Sequence, residues 1–305
     1  MKNVALIIPV FNRRKTTKHC LESIYTHLPD GFSVIVVDSG STDGTQAMIQ
    51  DEFKDVVLIQ GHESQWWAAA TNLGIRKALL DGCDGIVTFN DDNVATKYTF
   101  KTLLTVASHH PRSIISAVCC YYNDRDKIFF AGRNRSILTG RFYYRYLGKH
   151  YADLKKEIFE VDLLHGMCTL FPVSVFHEVG FFDEEAFPHL FADDDLVLRA
   201  KLCGYKLLVD TNSMVLNDRT MTGLDPYSKR LCQREVIQLF TSRKSVFQLE
   251  TRTRFLWRHR NSLPQFTISW CTDFSRIVCV VILRCVLPSN AYDKLIRIYL
   301  KLAYK

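Results

Sequence analysis

The sequence predicts an α/β protein, a mostly parallel, doubly wound central sheet with flanking helices, followed by a basic helical extension. Three observations carry this expectation. Short runs of β-formers alternate with helical patterns through the first hundred or so residues. Those runs are continuously apolar, as strands covered on both faces must be. From about Pro226 onward the pattern turns helical and basic.

The elements follow in order. Strands are predicted at 4–10 (VALIIPV), 33–38 (SVIVVD), 56–60 (VVLIQ) and 85–90 (GIVTFN). Helical patterns lie between and after them, near 14–28, 43–53, 67–81 and 96–109. Ser41, Asp43 and the stretch from Asp91 to Thr96 supply capping chemistry. Repeated strand–helix units imply right-handed crossovers. A strand at 114–120 precedes an irregular, aromatic-rich stretch containing RFYYRYLGKHY (141–151). Next come a strand-like run through 161–171, a short helix at 173–179, a helix from near Asp193 to a C-cap at Gly204, and a strand at 205–210. The expected division is 1–224 for the α/β body and 225–305 for the extension.

Composition excludes several classes. Of 305 residues, 47% are hydrophobic and 23% charged, which suits a globular protein. The ten cysteines show no CxxC spacing, and most lie in apolar runs (Cys119, Cys168, Cys279), as buried, reduced thiols of a cytosolic protein do. VALIIPVFN at the N-terminus is too short and too poorly flanked for a signal peptide, and no segment offers 18 to 20 uninterrupted apolar residues. The net charge of +7 is uneven: residues 225–305 hold 15 Lys and Arg against 5 Asp and Glu, the remainder 24 against 27. A near-neutral body with a basic tail suggests two tasks. The tail is either a helical subdomain or an interfacial surface for anionic lipid and a lipid-linked acceptor. No nucleic-acid motif is present.

Ligands of open α/β sheets bind beyond the carboxyl ends of the strands. Here three strand ends carry polar groups: Pro9-Val10-Phe11-Asn12, Asp38-Ser39-Gly40-Ser41, and Asn90-Asp91-Asp92-Asn93. Asp38 suits either an Asx-turn or a contact to a nucleotide base or ribose. Asp91 and Asp92 either cap a helix or hold a cation, since adjacent carboxylates become favourable beside a divalent ion and a diphosphate. In LFADDDLVLRAKLCGY, Asp193, Asp194 and Asp195 open a helix, where carboxylates favour the dipole; Asp195 and Arg199 are i,i+4 partners. One of these acids, aimed into the crevice, can serve as a general base. A nucleotidyltransferase would be expected to carry a glycine-rich phosphate loop, and PVFNRRKTT has none.

The pieces IIPVFNR (7–13), VIVVDSGSTDGT (34–45), WWAAATNLGI (66–75), FNDDN (89–93), FDEEAF (182–187) and FADDDLVLRAKLCGYKL (191–207) occur in the order that resembles the family-2 glycosyltransferases. More narrowly, they are similar to the rhamnosyltransferase-like branch that builds bacterial surface polysaccharide such as O-antigen and capsule. The resemblance covers about residues 1–220. It implies a GT-A fold and inverting transfer of a hexosyl or deoxyhexosyl group from a nucleoside diphosphate sugar, UDP- or dTDP-linked, to a hydroxyl of a glycan or lipid-linked glycan. The setting it implies is cytoplasmic, at the inner face of the cell membrane. The alternative is a degenerate nucleotide-sugar-binding or scaffold protein. Carried over, Pro9, Phe11, Asn12 and Asp38 contact the base and ribose, and Asn72 lies near the donor, with the Ala run letting the helix approach the nucleotide. Asp92 binds Mg²⁺ or Mn²⁺ and Asp91 the donor's hydroxyls. Asp193 or Asp194 is the base, Ala192 standing where an acid is common. Asp195 pairs Arg199, Trp66 and Trp67 line the sugar pocket or the core, and His165 lies on the acceptor side. Asn217 stands where many relatives have a histidine near the metal.

Overall fold

The computed structural model describes residues 1–136, 139–218, 233–243, 245, 247–288, 291–292 and 294–295. Strand β1 (Val4–Val10) runs parallel to β2 (Phe32–Asp38) on one side and β4 (Gly85–Phe89) on the other, and β2 runs parallel to β3 (Val57–Gln60). Past β4 comes β11 (Cys168–Pro172), antiparallel to both neighbours, then β6 (Ser113–Tyr121) with β12 (Lys206–Asn217) parallel to it. Edge strand β10 (Ile158–Glu160), with β5 (Asn93–Ala95) on β12 and β7 (Asp124–Phe130) on β6, brings the sheet to ten strands among the described residues.

Both faces of the sheet are covered, which explains why its strands read as unbroken apolar runs. Leu6, Ile8, Val34 and Val36 pack against α1 (Arg14–His27), α2 (Thr45–Glu52) and α4 (Lys101–His109). Ile7, Ile35 and Val37, pointing the other way, pack against α3 (Trp67–Leu80), α5 (Ser174–Glu178) and α6 (Ala192–Leu202). Helix α3 comes very close to β1: a Cβ on Gly74 would meet Ile7 Cγ2 at 2.6 Å. Ala68 and Ala70 are buried in the same contact layer. The small-residue run therefore serves helix–sheet packing.

Other differences have local causes. The pattern at 96–109 becomes a turn followed by α4, because the Thr96 and Thr99 hydroxyls both donate to the Met214 carbonyl across the sheet. Of the run 161–171 only the end from Cys168 is strand. Gly166 lies under Trp67, where a Cβ would be 2.9 Å from the ring. The aromatic stretch holds a hairpin of β8 (Arg133–Arg135) and β9 (Phe142–Tyr144). Helix α6 ends at Leu202, with Gly204 at φ +85° just beyond it. Cys119 and Cys168 are buried as expected, but Cys279 is exposed.

The extension comprises α7 (Gln233–Thr241), α8 (Leu249–Arg258) and α9 (Leu263–Val286). The boundary at 224/225 and most of residues 292–305 lie outside the described residues. Helix α8 is joined to the body: Phe255 is buried, stacks on Phe191 with centroids 4.8 Å apart, and meets Phe187 edge-on. Asp273 of α9 is clamped between Arg252 of α8 and Arg276. Helix α9 buries Ile277, Val280, Val281 and Arg284 along one stripe and exposes Ile268, Ile282, Leu283 and Val286. Although its apolar run is interrupted by charges, α9 is long and apolar enough to cross a membrane by length and composition.

Candidate functional site

Parallel register sets the first half of the site. Val10 lies opposite Asp38, and Ile7 opposite Thr88. Strands β1, β2 and β4 thus finish on one edge, with their polar ends together. Asp38 is fully buried, and its Oδ1 accepts from the Ser41 N–H at 3.0 Å and the Ser41 hydroxyl at 2.6 Å. Its other oxygen, Oδ2, is buried without a hydrogen-bond partner. An unsatisfied buried acceptor costs about 1–3 kcal/mol, which a ligand donor would offset. One oxygen makes the Asx-turn, and the other is left open to a donor. The Ser41 hydroxyl also accepts from the Asn12 N–H, and Asn12 Oδ1 accepts from the Thr42 N–H at 2.7 Å. Asn12, at φ +52°, is a staple between two loops, and Asp43 reinforces it by accepting from Arg14 N–H at 2.8 Å and Thr45 N–H at 3.1 Å. Pro9 sits within β1 opposite Val37, and Phe11 presents an exposed ring at the edge.

After β4 the chain turns, and Asp91 and Asp92 are both nearly buried. Arg13 Nη1 lies 2.9 Å from Asp91 Oδ1 and 3.4 Å from Asp92 Oδ2. Asn217 Nδ2 donates to Asp92 Oδ1 at 2.9 Å and to Asn93 Oδ1 at 2.8 Å, while the Asp218 N–H donates to the Asp92 carbonyl. A cavity of about 240 Å³ adjoins the pair, lined by Lys15, His19, Tyr122 and Asp218 among others. Burial pushes the Asp91 carboxyl up to about 7 although Arg13 opposes it, and Asp92 adds to the rise. Burial also raises Asp92, against Arg13 and Asn217. Among the described residues the two carboxylates share one guanidinium, which leaves the pair short of positive charge there. Its hard oxygen donors and that shortage fit a divalent cation.

The second half comes from the opening turn of α6, where the three acids separate. Asp193 is the most accessible: its Oδ2 lies 3.0 Å from His165 Nδ1 and accepts from the Gly166 N–H at 3.0 Å. Burial acts to raise its carboxyl, but His165 and the Gly166 N–H hold it down at about 2. Asp194 is buried and paired with Arg133 Nη2 at 2.5 Å; burial and the neighbouring Asp193 still leave its carboxyl above the ordinary range. Asp195 has no exposed surface. It is held by Arg199 Nε at 2.8 Å, Arg258 Nη1 at 3.1 Å and His259 Nε2 at 2.9 Å. His165, Asp193 and Asp194 present ligand atoms within 4.8 Å of one another, a spacing able to hold a metal ion, though Arg133 and His165 already engage them.

Some predicted residues serve the site indirectly. Asn72 is buried, and its amide makes three hydrogen bonds: Nδ2 donates to Phe182 O at 2.9 Å and Glu184 Oε2 at 2.6 Å, and Oδ1 accepts from Phe182 N–H. It braces the 182–184 loop. Trp67 packs edge-on against Phe182 and donates from Nε1 to Asn90 Oδ1 at 3.1 Å, so it supports the strand end from the core. Trp66 lies beside His189, with Arg243 over its ring. Arg13, Arg133, Arg258 and His259 escaped prediction as site residues. Basic runs around Arg13 and Arg258 were visible, but nothing local ties Arg133 to Asp194, 61 positions away.

Comparisons with known proteins bear on the family and the fold. The chain matches the model of "Glycosyl transferase family 2" over residues 5–180. It is 25% identical to the O-antigen chain rhamnosyltransferase RfbN of Salmonella typhimurium, over 74% of this chain and 69% of that protein. It is 22% identical to the GalNAc(5)-diNAcBac-PP-undecaprenol beta-1,3-glucosyltransferase of Campylobacter jejuni, over 76% and 80%. Alignments to an uncharacterized glycosyltransferase of Rickettsia bellii and to glycosyltransferase GlyA of Streptococcus pneumoniae span only 25% and 34% of those proteins. Among solved structures, the mannosyltransferase PcManGT of Pyrobaculum calidifontis, in complex with GDP-Man and Mn²⁺, superposes with a TM-score of 0.57 at 16% identity, over 99% of this chain and 81% of that one. GalNAc-T7 with UDP, GalNAc and Mn²⁺ gives 0.61 at 14% identity, over 90% and 54%. The mixed, mostly parallel sheet is that of the GT-A glycosyltransferases, and the chain belongs to glycosyltransferase family 2.

Proposed function

We propose that the chain is an inverting glycosyltransferase that moves a hexosyl or deoxyhexosyl group from a UDP- or dTDP-sugar to a hydroxyl of a lipid-linked glycan in bacterial surface polysaccharide synthesis. One observation carries the donor assignment: the buried, unpartnered Oδ2 of Asp38, two strands along the same edge from the charge-deficient pair Asp91–Asp92. Two strand spacings are roughly 10 Å, a span suited to a base at Asp38 and a diphosphate at Asp92. Phe11 offers its exposed face to the base. The name of the Salmonella relative supports a glycan acceptor, and that of the Campylobacter relative a glycan carried on a lipid diphosphate.

Asp92, with Asp91 beside it, would hold Mg²⁺ or Mn²⁺, which when bound supplies charge neutralisation for the diphosphate leaving group. Across the crevice Asp193 is the base. Asp194 is committed to Arg133 and buried, whereas Asp193 keeps exposed surface beside His165. With its carboxyl held near 2, Asp193 is ionised at neutral pH. It accepts the acceptor's proton late, once the new bond to the anomeric carbon has made that proton acidic. Asp195, gripped by Arg199, Arg258 and His259, fixes the helix that carries the base.

The body through 224 performs the transfer, and the extension from 225 meets the inner face of the membrane. Helix α9 supports this with an apolar stripe on the protein and a second, exposed apolar stripe. A helix buried on one side and apolar on the other suits the plane of an anionic lipid surface. Binding of UDP, dTDP and GDP to the wild type, Asp38→Ala and Asp92→Ala by calorimetry tests the donor site. Loss of affinity in both variants is expected, and unchanged binding in Asp38→Ala refutes the placement of the base.

A further inference from the structure

Arg13 occupies a position that sequence patterning gave no reason to single out. It stands at the junction of the β1 loop and α1, and its Nη1 is bonded to Asp91 and also reaches Asp92, the two residues proposed above to hold the divalent ion. We infer that Arg13 is an internal counter-ion that closes the Asp91–Asp92 site to free metal and swings onto the incoming diphosphate, so that metal and nucleotide bind as a coupled pair. This rests on the donor-site assignment of the preceding section.

Electrostatics decides the order of events. A divalent ion arriving alone must displace the guanidinium from two nearly buried carboxylates, and the guanidinium then exchanges a charge-assisted contact for water. A diphosphate arriving with the ion changes that exchange, because it offers the guanidinium anionic oxygens in a bidentate geometry. The same ligand brings the negative charge that the metal bridges. The Arg13 side chain is 28% exposed, against 8% and 9% for the two aspartates, so the cation is the mobile partner and the acids the fixed ones. Its anchoring backbone is held by the Asn12–Ser41 and Asn12–Thr42 bonds, so movement is confined to the side chain. Asn217, bonded to Asp92 Oδ1 and to Asn93, keeps the acceptor geometry in place when Arg13 leaves. The arrangement suppresses capture of free metal ions and makes an assembled site depend on the donor.

The test is Mn²⁺ affinity of the full chain, followed by electron paramagnetic resonance without nucleotide and with UDP, dTDP or GDP. Wild type, Arg13→Gln, Arg13→Lys and Asp92→Asn are compared, with circular dichroism to establish folding. Without nucleotide, Arg13→Gln is expected to bind Mn²⁺ about tenfold or more tightly than wild type, and Arg13→Lys to remain close to wild type. With the nucleotide that binds, the gap between wild type and Arg13→Gln closes to within about threefold. Equal Mn²⁺ affinity of wild type and Arg13→Gln without nucleotide overturns the inference while leaving the donor site standing. Mn²⁺ affinity untouched by Asp92→Asn in every condition, or no nucleotide bound by any variant, removes the donor-site assignment itself. Should Arg13→Gln misfold, Arg13→Met keeps the aliphatic stem and provides the same comparison.

Discussion

Replacing His259 by alanine tests whether the extension and the transferase body are one structure. Asp195 has no exposed surface and is held by three cationic or donor groups, two of them from the end of α8 and the residue after it. His259→Ala removes one hydrogen bond to a buried carboxylate, worth about 1.5–3 kcal/mol. The two arginines remain, which keeps the cost below the ~3–5 kcal/mol of leaving a buried charge unpaired. The imidazole also packs 4.9 Å from Phe255, so lost contact offsets part of that relief. The expected destabilisation is about 2–3 kcal/mol by denaturant unfolding. A melting midpoint lower by roughly 3–5 °C follows for a chain of this size. A double-mutant cycle with Asp195→Asn should return a coupling of about 1–2 kcal/mol. A cost below about 0.5 kcal/mol with additive effects would refute the clamp and make α8 a passive neighbour.

Three further outcomes follow from named contacts. Gly74→Ala forces a methyl to within 2.6 Å of Ile7 Cγ2, so it should cost about 1–3 kcal/mol in a melt, and an unchanged midpoint contradicts the close approach of α3. Asp193→Asn should lower kcat by about 10²–10⁴ with the fold intact. Asp194→Asn should instead destabilise by about 3 kcal/mol, because it strips the charge partner from buried Arg133; equal kinetic losses without destabilisation reverse the two roles. Burial opposes ionisation of Asp273, yet Arg252 and Arg276 hold its carboxyl below the ordinary range. Its stabilisation is therefore complete above the unfolded value of about 4 and is lost as pH falls below it. Trp270 fluorescence should report loosening of α8 and α9 in acid, and Asp273→Asn should abolish that acid step at the price of lower stability at neutral pH.

Long β-runs and helical periods made the sheet, its face coverage and the first three crossovers legible in the sequence, because both derive from local patterning. So did the gathering of Asp38, Asp91 and Asp92, since strand ends of a parallel sheet finish on one edge. What escaped depends on distant partners. The partners of the Asn72 amide, Phe182 and Glu184, lie more than a hundred positions on and carry no local signal. Arg199 at i+4 set Asp195 apart in sequence, but Asp193 and Asp194 looked alike, and only Arg133 and His165 separate them. The break at Gly166 was masked by apolar neighbours, although it is what lets an N–H reach Asp193. Arg13 gives no local signal, because its partners lie 78 and 79 positions away.

The central claim, transfer from a nucleotide sugar with Asp193 as base, is met most directly by nucleoside diphosphate release. A panel of UDP- and dTDP-sugars would be incubated with membrane-derived lipid-linked acceptors and the wild type, Asp92→Ala or Asp193→Asn. Acceptor-dependent release from one donor, reduced about a hundredfold or more in both variants, is the predicted result. Absence of release with every donor, or full activity in Asp193→Asn, would contradict it.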